Sequence, residues 1–497
     1  MQSPAPLPYA TRVLYALGAV ANAVKQRGLT TFLMIFYNQV VGLPADKVAG
    51  VLMMALVVDA IIDPLVGYVS DNFRSRWGRR HPFMYAAALP VALAFYLLWN
   101  PPVGWSEEAL LAYLVVCILA IRVFDTLFEL PHNALAPELA QEYHDRTSLL
   151  SLRTLFAVVG GLGMTIAAYQ IFLKEAPDGS GGVLARDGYF SYSLTAAAII
   201  FLVIVASSLG THSRIPHLQK PEARPRRTTG EALREVGRTL RNRGFIVTTL
   251  TGMFIAIATG AKNGLELYFG LYFWEFTQSQ LALLTTVGVA GSAVGVMAAP
   301  AVGKALGKRN GAILLFTGAL AVGVTPITLR LFNLLPPNGS DLLIGILIVE
   351  TFVNSVLAGG MIVLLLSMVA DVVEDVEVRT GQRSEGLLLS ADSLFKKLVS
   401  GVGIFIAGAM LSAVSFPEGA RRGEVDPEIL RDLALTYLPV VASLYAAAIL
   451  SMFAFNIDRA RHEANLRILA ARRVAAPAAA PTPQLAPAGQ LAPGVGT

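Results

Sequence analysis

Residues 57–71, VVDAIIDPLVGYVSD, hold Asp59 and Asp63 four apart inside an apolar run that reaches back through VAGVLMMAL. On a helix that spacing puts both carboxylates on one face, about one turn apart. Two such charges repel, and scarce water raises the cost of ionising both. The chemistry open to the pair is to bind a cation or proton, or to be neutralised by basic residues elsewhere. Other apolar runs carry charge too. IRVFDTLFELPHNALAPEL holds Arg122, Asp125 and Glu129, with Asp125 and Glu129 on one face and Pro131 interrupting the hydrogen-bond ladder. NAVKQRG holds Lys25 and Arg27, and AKNGLELYFGLYFWEF holds Lys262 and Glu266, which are four apart and are expected to satisfy each other. Lys25 and Arg27 have no acid on their own segment, so they pair with Asp59, Asp125 or Glu129, or attract an anionic group. There is no phosphate-binding glycine loop, no metal-spaced His/Cys cluster and no nucleophile elbow, which argues against an enzyme. His132, beside Pro131, is expected to be a packed residue.

The elements that must position these charges are membrane helices. Hydrophobic residues make up 55% of the 497, and charged residues 15%. Apolar stretches near 20 residues, each long enough to cross about 30 Å of hydrocarbon, recur along the chain. Twelve are expected, at 12–38, 47–70, 82–101, 108–135, 149–173, 190–210, 246–275, 280–303, 311–333, 341–370, 387–414 and 432–456. The start, MQSPAPLPYATR, lacks the layout of a signal peptide. The single cysteine, Cys117, permits no internal disulfide and reads as an apolar filler. The aromatic run Tyr268, Tyr272, Phe273 and Trp274 is assigned to an interfacial belt.

The net charge of +5 sits in particular loops, which argues against nucleic acid as its partner. With the N-terminus taken as cytoplasmic, NFRSRWGRRH, QEYHDRT, the long 211–245 loop, GKALGKRNG, VEDVEVRTGQRSE and RARHEANLRILAARR all fall inside, the pattern expected with both termini cytoplasmic. The domains are then 1–210, a first set of six helices; 211–245, a basic linker whose second part reads as a surface amphipathic helix; 246–458, a second set of six; and 459–497, a tail that is Ala/Pro-rich and disordered from about 475. Two short matches at an offset of roughly 235 residues suggest an internal repeat. PLVGYVSDNFRSRWGRR pairs with PAVGKALGKRNG, and ALAPELAQEYHDR with SMVADVVEDVEVR.

GYVSDNFRSRWGRR resembles the loop signature of the major facilitator superfamily. DAIIDPLVG, SRWGRRHPF, ADVVEDVEVRTGQRSEG and FKKLVSGVG together resemble its glycoside–pentoside–hexuronide:cation symporters, over all twelve helices. The resemblance implies an all-α membrane fold of two pseudo-symmetric six-helix bundles with alternating access to a central site. It implies a coupling-cation site at Asp59, Asp63 and Thr126. Ile62 departs from the family, which has an asparagine there, and offers no oxygen. Because a hard cation wants several oxygen ligands and a proton needs one carboxylate, this favours H+ over Na+. The resemblance also puts Glu129 and Arg153 at substrate positions and Lys397 against the carboxylates, where its ammonium would neutralise them. Ala23 and Asn133 replace an acid and a tryptophan that hold galactosides in the family, so a galactoside is not the expected solute. Lys25 joins Glu129, Arg153, Lys397 and Asn133 as the expected substrate set. Arg122 and Asp125 either line the cavity or lock neighbouring helices. Asp71, Arg76, Arg79 and Arg80, and Asp371, Arg379 and Arg383 in the second half, are expected gate charges that hold the bundles together on the inside in one state.

The function expected is cation-coupled symport of an organic solute, carbohydrate-like or a glycoside, by a monomer in the bacterial inner membrane. It would contact lipid and need no cofactor beyond its coupling ion. The alternatives are a lysolipid or amphiphile carrier of the same superfamily and a non-transporting membrane sensor.

Overall fold

The structure, a computed structural model, describes residues 7–140, 142–175, 181–217, 242–381, 385–457 and 459–475. The amphipathic helix expected in the linker, the Ala/Pro-rich end of the tail and Arg383 lie outside them. Among the described residues twelve long helices follow one another. They are α1 (Tyr9–Thr31, carried on by Leu33–Ile35 and Phe36–Val40), α2 (Ala45–Asn72), α3 (His81–Leu98), α4 (Glu107–Leu139), α5 (Tyr143–Ala167, then Ala168–Phe172) and α6 (Asp187–His212). The second half has α7 (Arg243–Tyr268, then Phe269–Phe273), α8 (Gln278–Leu306), α9 (Lys308–Leu331), α10 (Asp341–Thr380), α11 (Glu385–Ala413) and α12 (Pro427–Phe453). A further helix, α13 (Arg459–Ala475), follows in the tail.

Helices suit this chain because each satisfies its own backbone in an apolar surrounding. Their starts are marked in the sequence. Ser106, Asn242 and Ser340 each accept a bond from a first-turn N–H, and Thr277 with Gln280 closes a reciprocal cap on α8. Among the described residues eleven helices, α2 to α12, are long and apolar enough to cross a membrane by length and composition. The expected first span does not qualify. α1 carries Arg12, Asn22, Lys25, Gln26 and Arg27, and it packs among α5, α6 and α7, so its polar residues meet protein and cavity and not lipid.

The packing repeats with an offset of six helices: α1 on α5 and α6 as α7 on α11 and α12, α2 and α3 on α4 as α8 and α9 on α10. Small residues permit the closest approaches. A Cβ on Gly260 of α7 would lie 3.1 Å from the Gly403 Cα of α11. The halves meet along α2 and α11. There a Cβ on Gly408 would lie 2.6 Å from the Ala45 carbonyl oxygen and one on Gly401 3.2 Å from the Met53 Cα.

One hydrophobic core runs the length of the first half, from Leu7 and Leu139 onward, and joins the second half at the end away from the termini, where Phe36 and Tyr37 meet Tyr268 to Phe273. A separate core, around Phe245, Phe316, Met368 and Val372, serves only the second half at the opposite end. The shared core is capped by polar bonds between halves. Tyr268 Oη donates to Asn38 Oδ1 (2.7 Å), and the one proton of Tyr272 Oη is shared between Gln39 Oε1 across the halves (3.2 Å) and the Ala420 carbonyl of its own half (2.9 Å). Gln39 Nε2 donates to the Pro417 carbonyl (3.0 Å), and Arg422 pairs with Glu175 at 2.9 Å. The aromatic run expected in an interfacial belt therefore belongs to this seal. Tyr268, Tyr272, Phe273 and Trp274 are all buried. α1 and α7 each end in a π-helical turn there, whose extra residue re-aims side chains relative to a regular helix.

Candidate cation and solute site

Asp59 and Asp63 do lie on one face of α2, and a cation from the other half sits on both. Lys397 of α11 places Nζ 2.6 Å from Asp59 Oδ2 and 2.6 Å from Asp63 Oδ2. Thr126 Oγ1 of α4 has one proton to share among Asp59 Oδ1 (3.3 Å), Asp63 Oδ1 (3.1 Å) and the Arg122 carbonyl of its own helix (2.9 Å). Arg122 Nη1 is 3.4 Å from Asp59 Oδ2. The Asp59 side chain is 7% exposed and that of Asp63 29%, so water reaches the second carboxylate more readily.

One turn further along α4, Asp125 forms a buried ion pair with Lys25 of α1. Lys25 is 1% exposed and does not line the cavity, so this expected substrate residue serves as the counter-ion of Asp125. Glu129 accepts from Asn22 Nδ2 at 2.9 Å. Arg153 of α5 donates to Asn133. His132 is buried, stacked between Tyr15 and Phe128, with Nε2 3.0 Å from the Tyr15 carbonyl oxygen. Around α4, then, four acids (Asp59, Asp63, Asp125, Glu129) lie among four bases (Lys25, Arg122, Arg153, Lys397). Such a set can move a proton or exchange a cation without leaving a large net charge in the hydrocarbon.

Beside this cluster is a cavity of about 1300 Å³ between the halves. From the first half it is lined by Asn22, Gln26, Arg27 and Arg153, and from the second by Lys262, Glu266, Glu350 and Asn354. The expected mutual pairing of Lys262 and Glu266 does not occur. Both are exposed, and neither has an opposite charge within 4.0 Å among the described residues. The i, i+4 spacing permits contact, yet both side chains extend into the cavity, where water competes with the pair.

A family model described as MFS/sugar transport protein matches residues 14–459. The chain belongs to that family. The isoprimeverose transporter of Lactiplantibacillus pentosus is 23% identical over 91% of this chain and 90% of its own length. A glucuronide carrier protein homolog of Escherichia coli is 23% identical over 83% and 87%. The fold is that of an inward-facing bacterial homolog of the lysosomal transporter Spinster, at a TM-score of 0.63 and 15% identity, over 93% of this chain and 98% of that one. The protein is thus an integral membrane transporter of the major facilitator type and not an enzyme.

In this transporter the expected gate charges close within each half. Arg79 and Arg80 both reach Glu138 at the end of α4, Arg80 at 2.9 Å, and Arg80 lies 3.5 Å from Asp71. Arg76 lies over the Trp77 ring, 5.7 Å from its centre. In the second half Asp371 accepts from Lys308 at 2.6 Å, and Arg379 pairs with Asp375 at 2.9 Å. Among the described residues, the end that carries the termini is thus not held together by these charges, while the other end is sealed.

Several functional residues escaped sequence reasoning. Glu138 is the counterpart of Asp371 at an offset of 233, close to that of the repeat, the one signal in the sequence from which it could have been found. In α13, Arg461 grips Asp375 Oδ1 through Nε and Nη2 at 3.1 and 3.0 Å. His462 Nδ1 lies 3.2 Å from Asp371 Oδ1 and 3.0 Å from Glu374 Oε2. Such a triad is a metal-type ligand set, but Lys308 already brings positive charge to the same Asp371 oxygen.

Proposed function

We propose that this transporter carries a sugar-type solute by proton-coupled symport, rocking its two halves about the central cavity. The observation that carries the reading is the Lys397 ammonium held by Asp59 and Asp63 across the halves. A proton taken up by either carboxylate weakens the hold on Lys397 and so loosens α2 from α11. Loss of the proton restores the pair. A sodium ion would need the Lys397 seat and several oxygens. The side chains here offer only two carboxylates and one hydroxyl, with Ile62 contributing none. A proton needs no such shell.

The cavity supports the solute class. Its volume suits a mono- or disaccharide, its walls mix amide, hydroxyl and charged groups, and the relatives named above are sugar and glucuronide carriers. The sealed end is then the outer one, because the basic loops gather at the end that bears the termini, which the positive-inside pattern assigns to the cytoplasm.

The test begins with thermal stabilisation of the purified protein by neutral, acidic and amino sugars, with and without sodium. The strongest ligand is then followed into proteoliposomes under a pH gradient alone and a sodium gradient alone. Accumulation is expected only in the first case. Accumulation driven by sodium with no pH difference would sink the proton assignment and leave the symport reading in place.

A further inference from the structure

The charged residues of the cavity are sorted by half. The wall from α1 and α5 carries Arg27 and Arg153 and no acid, whereas the wall from α7 and α10 carries Lys262, Glu266 and Glu350. Arg27 is exposed and has no acid within 4.0 Å among the described residues. Arg153 donates to Asn133, while its buried Nε has no partner. On the opposite wall Glu350 accepts from Thr351 Oγ1 at 3.4 Å and feels the charge of Lys262, but among the described residues no cation touches either Glu350 or Glu266. One wall therefore has two positive charges. The other has two negative and one positive, an excess of one negative.

Unpaired charges in mid-membrane cost about 3 kcal/mol each unless they are wet or matched, and their default reading is a ligand site. Water in the empty cavity can solvate them. A solute that displaces this water has to replace it with complementary charge, or the transporter loses affinity through stranded ions. A neutral sugar offers hydroxyls to the carboxylates but nothing to the guanidinium groups. A purely acidic sugar answers Arg27 and leaves the acidic excess opposite.

The geometry points to a zwitterionic solute, a sugar that bears both an acidic and an amino substituent, with its acid on Arg27 and Arg153 and its ammonium between Glu266 and Glu350. Lys262 shares this wall without touching either carboxylate, so its charge opposes an incoming ammonium. The inference rests on the sugar reading above and narrows it to one substrate class.

Four probes separate the contributions: D-glucose, D-glucosamine, D-glucuronate and muramic acid, which carries both substituents. Binding to the purified full-length protein is read by thermal stabilisation over a concentration series. Muramic acid is expected to bind tightest. Glu350→Gln and Glu266→Gln, which keep side-chain shape, should each weaken glucosamine and muramic acid about tenfold and leave glucuronate unchanged, as loss of one charged hydrogen bond predicts. Arg27→Gln should do the reverse. Lys262→Gln should strengthen glucosamine, a gain that a misfolded variant cannot imitate. Glucose binding as tightly as muramic acid, or Lys262→Gln weakening glucosamine, would overturn the zwitterion while leaving the sugar reading intact. Binding of none of the four would overturn both.

Discussion

Asp59→Asn and Asp63→Asn should abolish gradient-driven accumulation equally, yet differ in stability. Asp59 is 7% exposed and holds Lys397 at 2.6 Å, Arg122 at 3.4 Å and Thr126 at 3.3 Å. Among the described residues it is the only acid paired with Arg122, whose Nε is buried without a partner. Removing that charge strands a guanidinium that is 11% exposed. Breaking one side of a buried pair costs about 3 to 5 kcal/mol, and the lower end suits a site that water partly reaches. Asp63 is 29% exposed, and its loss leaves Lys397 on Asp59 at an unchanged 2.6 Å. A cost of about 1 kcal/mol is expected there, since solvent screens the pair. The gap of roughly 2 kcal/mol is to be read by denaturation of the purified variants in mixed micelles, followed by tryptophan fluorescence. Adding Arg122→Gln to Asp59→Asn should recover most of that gap, because the stranded charge goes with it. Equal losses in the two single variants, or no recovery in the double, would refute the partner assignment. Solute exchange without a gradient should survive in both single variants, which keeps the coupling test separate from the stability test.

Ile62→Asn supplies an amide oxygen beside the two carboxylates, and is expected to raise sodium-driven uptake in proteoliposomes at least several-fold; an unchanged ratio of sodium-driven to pH-driven uptake would count against a cation seat at this place. Gly408→Leu should separate α2 from α11, given the 2.6 Å approach to the Ala45 carbonyl, and cost about 2 to 3 kcal/mol by overpacking, measured in the same micelles; a neutral result would mean the helices do not meet there. Gln39→Ala removes the bonds to Pro417, Ala420 and Tyr272 and should let a thiol reagent applied from the sealed side reach a cysteine placed at Gln26, the native Cys117 being buried; labelling no faster than in the parent would show the seal lies elsewhere.

What the sequence made legible follows from range. The Asp59/Asp63 pair stands out because two charges interrupt an apolar run, and the helix ends are marked by local caps such as Thr277 with Gln280. Lys397 is 334 residues from Asp63, and only family resemblance, not spacing, connected them. Local rules misled where a cavity intervened. Lys262 and Glu266 have the spacing of a helical pair and yet extend into open space, and of the two roles open to Lys25, a solute contact or a pairing with an acid such as Asp125, the structure shows the pairing. Tyr268 and Tyr272 have the composition of a lipid-interface belt, but a π-helical turn and the approach of α1 bury them in a seal. An apolar-span rule also undervalues α1, since a helix shielded by its neighbours is free to be polar.

Under the proton-coupled reading proposed above, the placement of Lys397 joins coupling to movement. Lys397, Gly401 and Gly408 follow at intervals of four and seven on α11, which keeps them on one face. The glycines let that face approach α2 to backbone distance, and the lysine reaches the α2 carboxylates from the same contact. A change in protonation at Asp59 or Asp63 therefore acts on the helix pair along which the halves meet, with no relay through other helices. The aromatic seal at the far end depends on neutral hydrogen bonds between Asn38, Gln39, Tyr268 and Tyr272 and on one partly exposed ion pair, Arg422 with Glu175, which solvent screens. Each is worth about 1 kcal/mol, less than the Lys397 contact contributes at its strongest, so the seal can yield when that contact rearranges and the solute's own charges fill the cavity.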